Sequence, residues 1–136
     1  MSTKAIQALY ETRLLTWAAE RDPVPRVAVP NVQFRRSQAA HLRCYVLPAN
    51  TTTLNIGNTD EVFAGLFQIT VVTPAGKGEG AARSIVAELQ ALFPINLDLT
   101  HGSLSVRVRT PLRERAGFPV DGFYELVTDF AYRSFA

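Results

Sequence analysis

Residues 62–73 read VFAGLFQITVVT and form the strongest predicted strand of this chain. β-Branched and aromatic residues occupy both sets of alternating positions, which is typical of a central strand covered on both faces. A glycine-rich turn, residues 74–80, separates this strand from an amphipathic helix predicted from about Ala81 to Phe93. Pro94 ends that helix, because proline has no backbone donor. The centre of the chain therefore predicts a buried strand followed by a helix.

The segments on either side of this centre predict another helix and further strands. Near the N-terminus, apolar residues recur at spacings of three and four and form one helical stripe, Ile6, Leu9, Tyr10, Leu14, Trp17 and Ala18. Alternating residues predict strands at 27–29, 41–47, 103–109 and 120–135. We therefore expect residues 1–136 to form one α+β domain with a mixed, mainly antiparallel sheet and two helices packed on one face.

Two polar segments interrupt this pattern. Residues 49–61 are rich in turn formers, yet Leu54 and Ile56 alternate with polar residues, so a protruding hairpin arm and a loop are both consistent with the sequence. A connection this long without structure of its own is uncommon inside a compact domain. Residues 110–119 predict a second, charged loop. Both segments are candidates for contacts with other proteins.

Composition limits the classes of function. Charged residues make up 19% of the 136 residues, below the usual quarter, which suggests that part of the surface is covered in an assembly. The net charge of +2 is small for a dedicated nucleic-acid binder. Because the chain shows neither a signal peptide nor an apolar run of roughly 20 residues, we expect a soluble cytoplasmic protein without a membrane partner.

No residue pattern predicts catalysis, a cofactor or a metal site. The turn at residues 76–80 lacks the Gly-Lys-Ser/Thr ending of a phosphate-binding loop. His41 and Cys44 are three apart on a predicted strand and therefore lie on opposite faces, which leaves Cys44 as a small core residue. Asp121, Glu125 and Asp129 predict the solvated face of the last strand. These observations indicate that the chain is not an enzyme.

Arginines form the one cluster that could have a function. Arg107, Arg109, Arg113 and Arg115 lie close in sequence, and Arg35-Arg36 can approach them in space. Such a cluster can bind phosphates, pair with carboxylates at a protein–protein interface, or simply form a solvated strand face.

Taken in order, several segments resemble one family of bacteriophage and prophage proteins. These segments are residues 4–19, 45–49, 65–76, 88–94 and 123–133. They carry patterns of core and turn residues, such as Trp17-Ala18-Ala19 and Phe93-Pro94, and not a catalytic signature. The chain resembles the tail terminator-like minor tail proteins, which are related in fold to the lambda-type tail terminator.

This resemblance implies a ring of six subunits that caps the polymerised tail tube, stops its growth and joins it to the head connector. The implied partners are a second copy of the chain, the tail-tube protein and the head–tail connector, and the implied location is the host cytoplasm during assembly and then the virion tail. Another head–tail joining or minor tail protein remains an alternative, as does a small nucleic-acid or ligand binding module. Interface residues are predicted at Arg35, Arg36, Leu54, Ile56, Arg107, Arg109, Arg113 and Arg115.

Overall fold

The computed structural model describes residues 3–20, 26–28, 40–53, 61–74, 78–102 and 104–135. Within these ranges the chain forms two helices and seven strands, in the order α1 (Thr3–Ala19), β1 (Arg26–Ala28), β2 (His41–Thr53), β3 (Glu61–Pro74), α2 (Gly78–Leu92), β4 (Asp98–His101), β5 (Leu104–Val108), β6 (Arg113–Val120) and β7 (Phe123–Phe135).

The strands form a mixed sheet in the order β1-β2-β3-β7-β5-β4, with β6 also paired to β7. β1 runs parallel to β2, and the other neighbouring pairs are antiparallel. β3 occupies one edge of β7 from Ala64, opposite Arg133, to Pro74, opposite Phe123. β5 and β6 therefore follow one another along the other edge of β7. The predicted α+β class with a mainly antiparallel sheet is confirmed.

Both helices pack on one face of the sheet, as predicted. Tyr10 of α1 lies in an aromatic cluster, with its ring centroid 5.3 Å from that of Phe67, 5.1 Å from Phe130 and 6.0 Å from Phe93. Tilted and edge-on ring pairs of this kind contribute about 0.5–1.5 kcal/mol each beyond the area they bury. The predicted helical stripes face this core, with Ile6, Tyr10, Leu14 and Ala18 buried on α1 and Ile85, Val86 and Leu89 buried on α2.

The prediction of a charged loop at residues 110–119 is wrong, because Arg113–Val120 forms β6 and pairs with β7 in a hairpin. Asp121 and Gly122 make its two-residue turn, with φ angles of 46° and 82°. Positive φ at both central residues is the mark of a type I′ turn, which matches the twist of the flanking strands. Pro119 is tolerated because β6 lies at an edge, where a missing backbone donor breaks no ladder.

The strand predicted at residues 41–47 is longer in the structure. β2 continues through Pro48 to Thr53, with an irregularity in its pairing to β3 between Pro48 and Thr51. Thr53 lies opposite Glu61, so the two strands still pair at the ends of the described ranges. This favours a hairpin arm for the first part of residues 49–61, while residues 54–60 lie outside the described part of the chain. β4 was not predicted from the sequence.

Candidate interaction surface

The described residues contain no group of three or more His, Cys, Asp or Glu side chains that could hold a metal ion. Cys44 is buried in the core, as predicted, and burial raises the pKa of its thiol to about 12. Such a thiol stays protonated at neutral pH and is a poor nucleophile, because the thiolate is the reactive form.

The sheet face turned away from both helices, here called the open face, carries a polar network. Strand alternation places on it Arg43 and Tyr45 of β2, Gln68 of β3, and Glu125 and Asp129 of β7. The amide of Gln68 donates a hydrogen bond to the hydroxyl of Tyr45 on the neighbouring strand. Arg43 pairs with Glu125 across the intervening strand β3. These side-chain contacts add to the backbone ladders that join β2, β3 and β7.

Two of the predicted arginines share one buried carboxylate. Arg113 Nε donates to Asp129 Oδ1 over 2.9 Å, and Arg115 Nε donates to Asp129 Oδ2 over 2.8 Å. The Asp129 side chain is only 5% exposed, whereas the two arginines are 44% and 46% exposed. A carboxylate so deeply buried requires such donors, because an unpaired buried charge is costly.

The predicted solvated face of β7 is therefore wrong at Glu125 and Asp129. Both residues are buried, since only 8% of the whole residue is exposed at Glu125 and 3% at Asp129, although their side chains point away from the helices. Arginine side chains cover them: Arg43 from β2, and Arg113 and Arg115 from the β6 segment. Alternation along one strand predicted the face correctly, but it could not show that other strands cover that face.

Arg107 is engaged within the chain. It binds Asp98 of β4 through two bonds, from Nε to Oδ1 over 2.7 Å and from Nη2 to Oδ2 over 3.0 Å. The hydrogen bond from Arg107 holds the pKa of the Asp98 carboxyl below its usual range, and the same bond raises the pKa of Arg107. Because this pair is solvent-exposed, it contributes little to stability, but it fixes the direction of the Arg107 guanidinium.

Among the predicted arginines within the described ranges, Arg109 has the least constrained side chain. Its backbone is fixed, since its N–H donates to the carbonyl of Ala131 over 2.7 Å, and Thr110 Oγ1 accepts from the N–H of Ala131 over 2.9 Å. Its side chain is exposed and makes no ion pair within the described part of the chain. Of the other predicted interface residues, Arg35, Arg36, Leu54 and Ile56 lie outside the described residues.

The apolar residues of the open face were not assigned to an interface from the sequence. Tyr45 and Leu47 of β2 are 36% and 40% exposed, and Phe118 of β6 is 41% exposed. Strand pairing places Leu47 beside Leu66 of β3. The alternation of β2 could have indicated this strip, because Tyr45 and Leu47 occupy the positions opposite in phase to Leu42, Cys44 and Val46. Aromatic residues and arginine together are typical of protein interfaces.

A groove of about 820 Å³ runs along α1 on the other side of the molecule. Its lining includes Leu9 and Trp17 of α1, which the sequence assigned to the buried stripe, and Leu92 and Leu99. Arg13 crosses from α1 to donate from its Nε to the carbonyl of Leu92 over 2.8 Å. The two predicted core residues are therefore only partly buried, because α1 and β4 leave this space between them.

Fold and surface together define a small α+β protein in which two helices cover one sheet face and the other face is left to charged and aromatic side chains. Neither described helix is long and apolar enough to cross a membrane. The family model described as "Phage tail terminator protein" matches residues 5–128. The chain belongs to this family, which is structural and non-enzymatic, and membership implies an interaction with the tail tube.

A solved structure supports this assignment over the length of the chain. That protein is 37% identical in sequence, superimposes with a TM-score of 0.83, and matches 98% of this chain and 96% of its own. No curated protein sequence matches the chain. The suggested relationship to tail terminators is confirmed.

Proposed function

We propose that six copies of this chain close into a ring on the end of the tail tube, stop its polymerisation and join it to the head connector. Membership of the tail terminator family, over residues 5–128, is the observation that carries this proposal. A ring requires two different surfaces on each subunit, because a contact that closes by rotation is heterologous. It also requires a further surface for the tube.

The fold offers surfaces of both kinds. β1 and β4 are the two end strands of the sheet, and the outer edge of β6 pairs with no described strand. A neighbouring subunit can add a strand at any of these three edges. Against β6 as the subunit contact stand Pro119, the charged residues Arg113, Glu114 and Arg115, and a bulge, which all hinder edge pairing. This favours β1 or β4 as the edge that joins subunits and leaves the open face for the tube.

Arg109 supports the tube contact most directly. Its side chain is exposed, and its backbone N–H is hydrogen-bonded to Ala131 of β7. The backbone position from which the side chain extends is therefore fixed. Arg107 was predicted, together with Arg109, to lie at a subunit or tube contact, but its replacement would also release Asp98. A change at Arg109 alone therefore separates an effect on the contact from an effect on β4.

The test is electron microscopy of tubes grown from the neighbouring tail-tube protein, with and without this chain. We expect tubes that stop growing and carry a six-fold ring at one end. Arg109→Glu should abolish capping while leaving the circular dichroism spectrum and melting temperature unchanged. Tubes of unchanged length with bare ends would reject the terminator role in favour of another head–tail joining role. Normal capping by Arg109→Glu would reject the proposed contact only.

A further inference from the structure

Arg113 and Arg115 hold Asp129 in a way that leaves half of each guanidinium unused. Each arginine reaches the carboxylate through Nε alone. No described residue accepts a hydrogen bond from the terminal Nη groups of either side chain. Both side chains are nearly half exposed, so these Nη groups lie at the surface. Two positive charges against one carboxylate also leave an excess of one positive charge.

Other ion pairs of the chain differ from this arrangement. Arg107 donates from both Nε and Nη2 to the two carboxylate oxygens of Asp98. One carboxylate thus binds one guanidinium in a bidentate way, and the pair is neutral. Arg43 pairs with Glu125 one to one, which is also neutral. Asp129 is the described carboxylate that binds two guanidiniums. One excess positive charge therefore lies at this point of the open face.

A bulge in β6 creates the arrangement. Arg113 lies opposite Asp129 and Glu114 opposite Thr128, but Ala116, not Arg115, lies opposite Val127. Arg115 is thus the extra residue, and its side chain turns to the same buried carboxylate as that of Arg113. The bulge locks two long side chains side by side, which removes much of the rotamer entropy that binding an anion would otherwise cost.

We propose that this pair is a receptor for a carboxylate group on the surface of the tail-tube protein, an assignment that rests on the proposed capping function. Arginine Nη groups bind carboxylates in a fork geometry, and guanidinium groups already fixed by a buried acid are preorganised for it. A protein partner is favoured over nucleic acid because the same face exposes Tyr45, Leu47 and Phe118. Such apolar contacts suit an interface and add nothing to a track of phosphates.

The direct test is nuclear magnetic resonance of the full chain, labelled with ¹⁵N, with a hexaglutamate peptide as the probe. We expect saturable shifts of the Nε–H signals of Arg113 and Arg115, weaker in rising sodium chloride. The double variant Arg113→Lys/Arg115→Lys keeps both charges but cannot bind Asp129 and offer a fork at once. It should bind at least about tenfold more weakly, the loss expected for one charge-assisted hydrogen bond.

The matched control is Lys4→Gln/Arg13→Gln, which removes two positive charges from α1, away from β6, and should bind the peptide like the natural chain. Equal shifts at all exposed arginines, or no shift at Arg113 and Arg115, would overturn the receptor. Tighter binding of a single-stranded DNA oligonucleotide at the same two signals would overturn the choice of a protein ligand. A melting curve of the lysine variant confirms that it is folded.

The tube-capping experiment distinguishes the receptor proposal from the capping function on which it rests. If the natural chain caps tubes and Arg113→Lys/Arg115→Lys does not, both proposals are supported. If the lysine variant caps normally, the receptor on the tube is rejected and the capping function stands. If the natural chain leaves tubes uncapped yet binds hexaglutamate at this pair, the assignment to the tail-tube protein is rejected.

Discussion

Gly65 of β3 lies directly opposite Tyr132 of β7, and the tyrosine side chain occupies the space that a larger residue at position 65 would need. A Cβ atom at this position would lie 2.8 Å from the Tyr132 hydroxyl and still closer to the carbonyl oxygen of Leu47 on β2. Three strands thus approach closely at one point. The backbone of Gly65 is ordinary extended strand, so its conformation does not require glycine. Glycine is required because there is no space for a Cβ atom.

Replacing Gly65 with alanine should therefore destabilise the protein although it adds a single methyl group. We expect the free energy of unfolding in urea to fall by about 2–3 kcal/mol, as is typical of overpacking in a rigid core. The added Cβ would press on a backbone carbonyl, and moving that carbonyl disturbs the β2–β3 ladder.

Gly80→Ala in α2 is the matched control, since no atom lies within 4 Å of the position its Cβ would take. That change should stabilise the protein by about 0.5–1 kcal/mol, because alanine loses less backbone entropy in a helix. The double variant Gly65→Ala/Tyr132→Phe should recover part of the loss by removing one of the two close contacts. Equal stability of Gly65→Ala and the natural chain would contradict the close packing.

The buried hydroxyl of Tyr10 provides a second prediction. It has no hydrogen-bond partner among the described residues, and burial raises its pKa well above the usual value. Because an unpaired polar group in a core costs free energy, Tyr10→Phe should leave the free energy of unfolding unchanged or raise it by up to about 1 kcal/mol. Urea denaturation measures the difference. A loss of about 1 kcal/mol or more would show that the hydroxyl is satisfied in the folded protein.

The sequence predicted those elements whose pattern is local. The stripe of α1, the run of β-branched and aromatic residues in β3, and the alternation of β7 are each complete within one segment. β6 was missed because Gly117, Pro119 and its charges are typical of a loop, although Asp121-Gly122 is a strong hairpin signal. In the folded chain Tyr124 lies over Gly117, so the partner strand supplies the packing that the glycine lacks.

The candidate site was predictable only as a set of arginines. Their sequence positions were found, but not which of them are engaged. Asp98 that binds Arg107 lies on a strand the sequence did not reveal, and Asp129 looked like a solvated residue. Pairing across strands depends on register, and a bulge such as that at Arg115 shifts the register by one residue.

Asp129 and Asp98 should therefore respond differently to the same substitution. Asp129→Asn removes the charge that holds two guanidiniums at a buried position, and we expect a loss of about 1–2 kcal/mol in the free energy of unfolding, moderated because both arginines reach water. Asp98→Asn breaks an exposed pair and should have little effect. Parallel urea titrations make the comparison. Similar losses for the two variants would show that the burial of Asp129 does not matter.

Alkaline pH should weaken the fold through groups that are buried as neutral acids. Burial raises the pKa of Cys44 from 9.0 to about 12 and that of Tyr132 from 10.0 to about 12. In the unfolded chain both groups lose their protons near their ordinary values, while the folded chain retains them. Their contribution to stability is therefore complete below pH 9 and is lost progressively as the pH rises toward 12.

Urea denaturation at a series of pH values between 8 and 12 measures this loss. Cys44→Ala removes the thiol and should flatten the early part of the decline, whereas Tyr132→Phe should flatten the part that begins near pH 10. At pH 8 a thiol reagent should modify Cys44 only as fast as the protein opens, and at once in urea, because the folded thiol is both covered and protonated. Rapid modification of the folded protein would place Cys44 at the surface and remove the basis of the alkaline prediction.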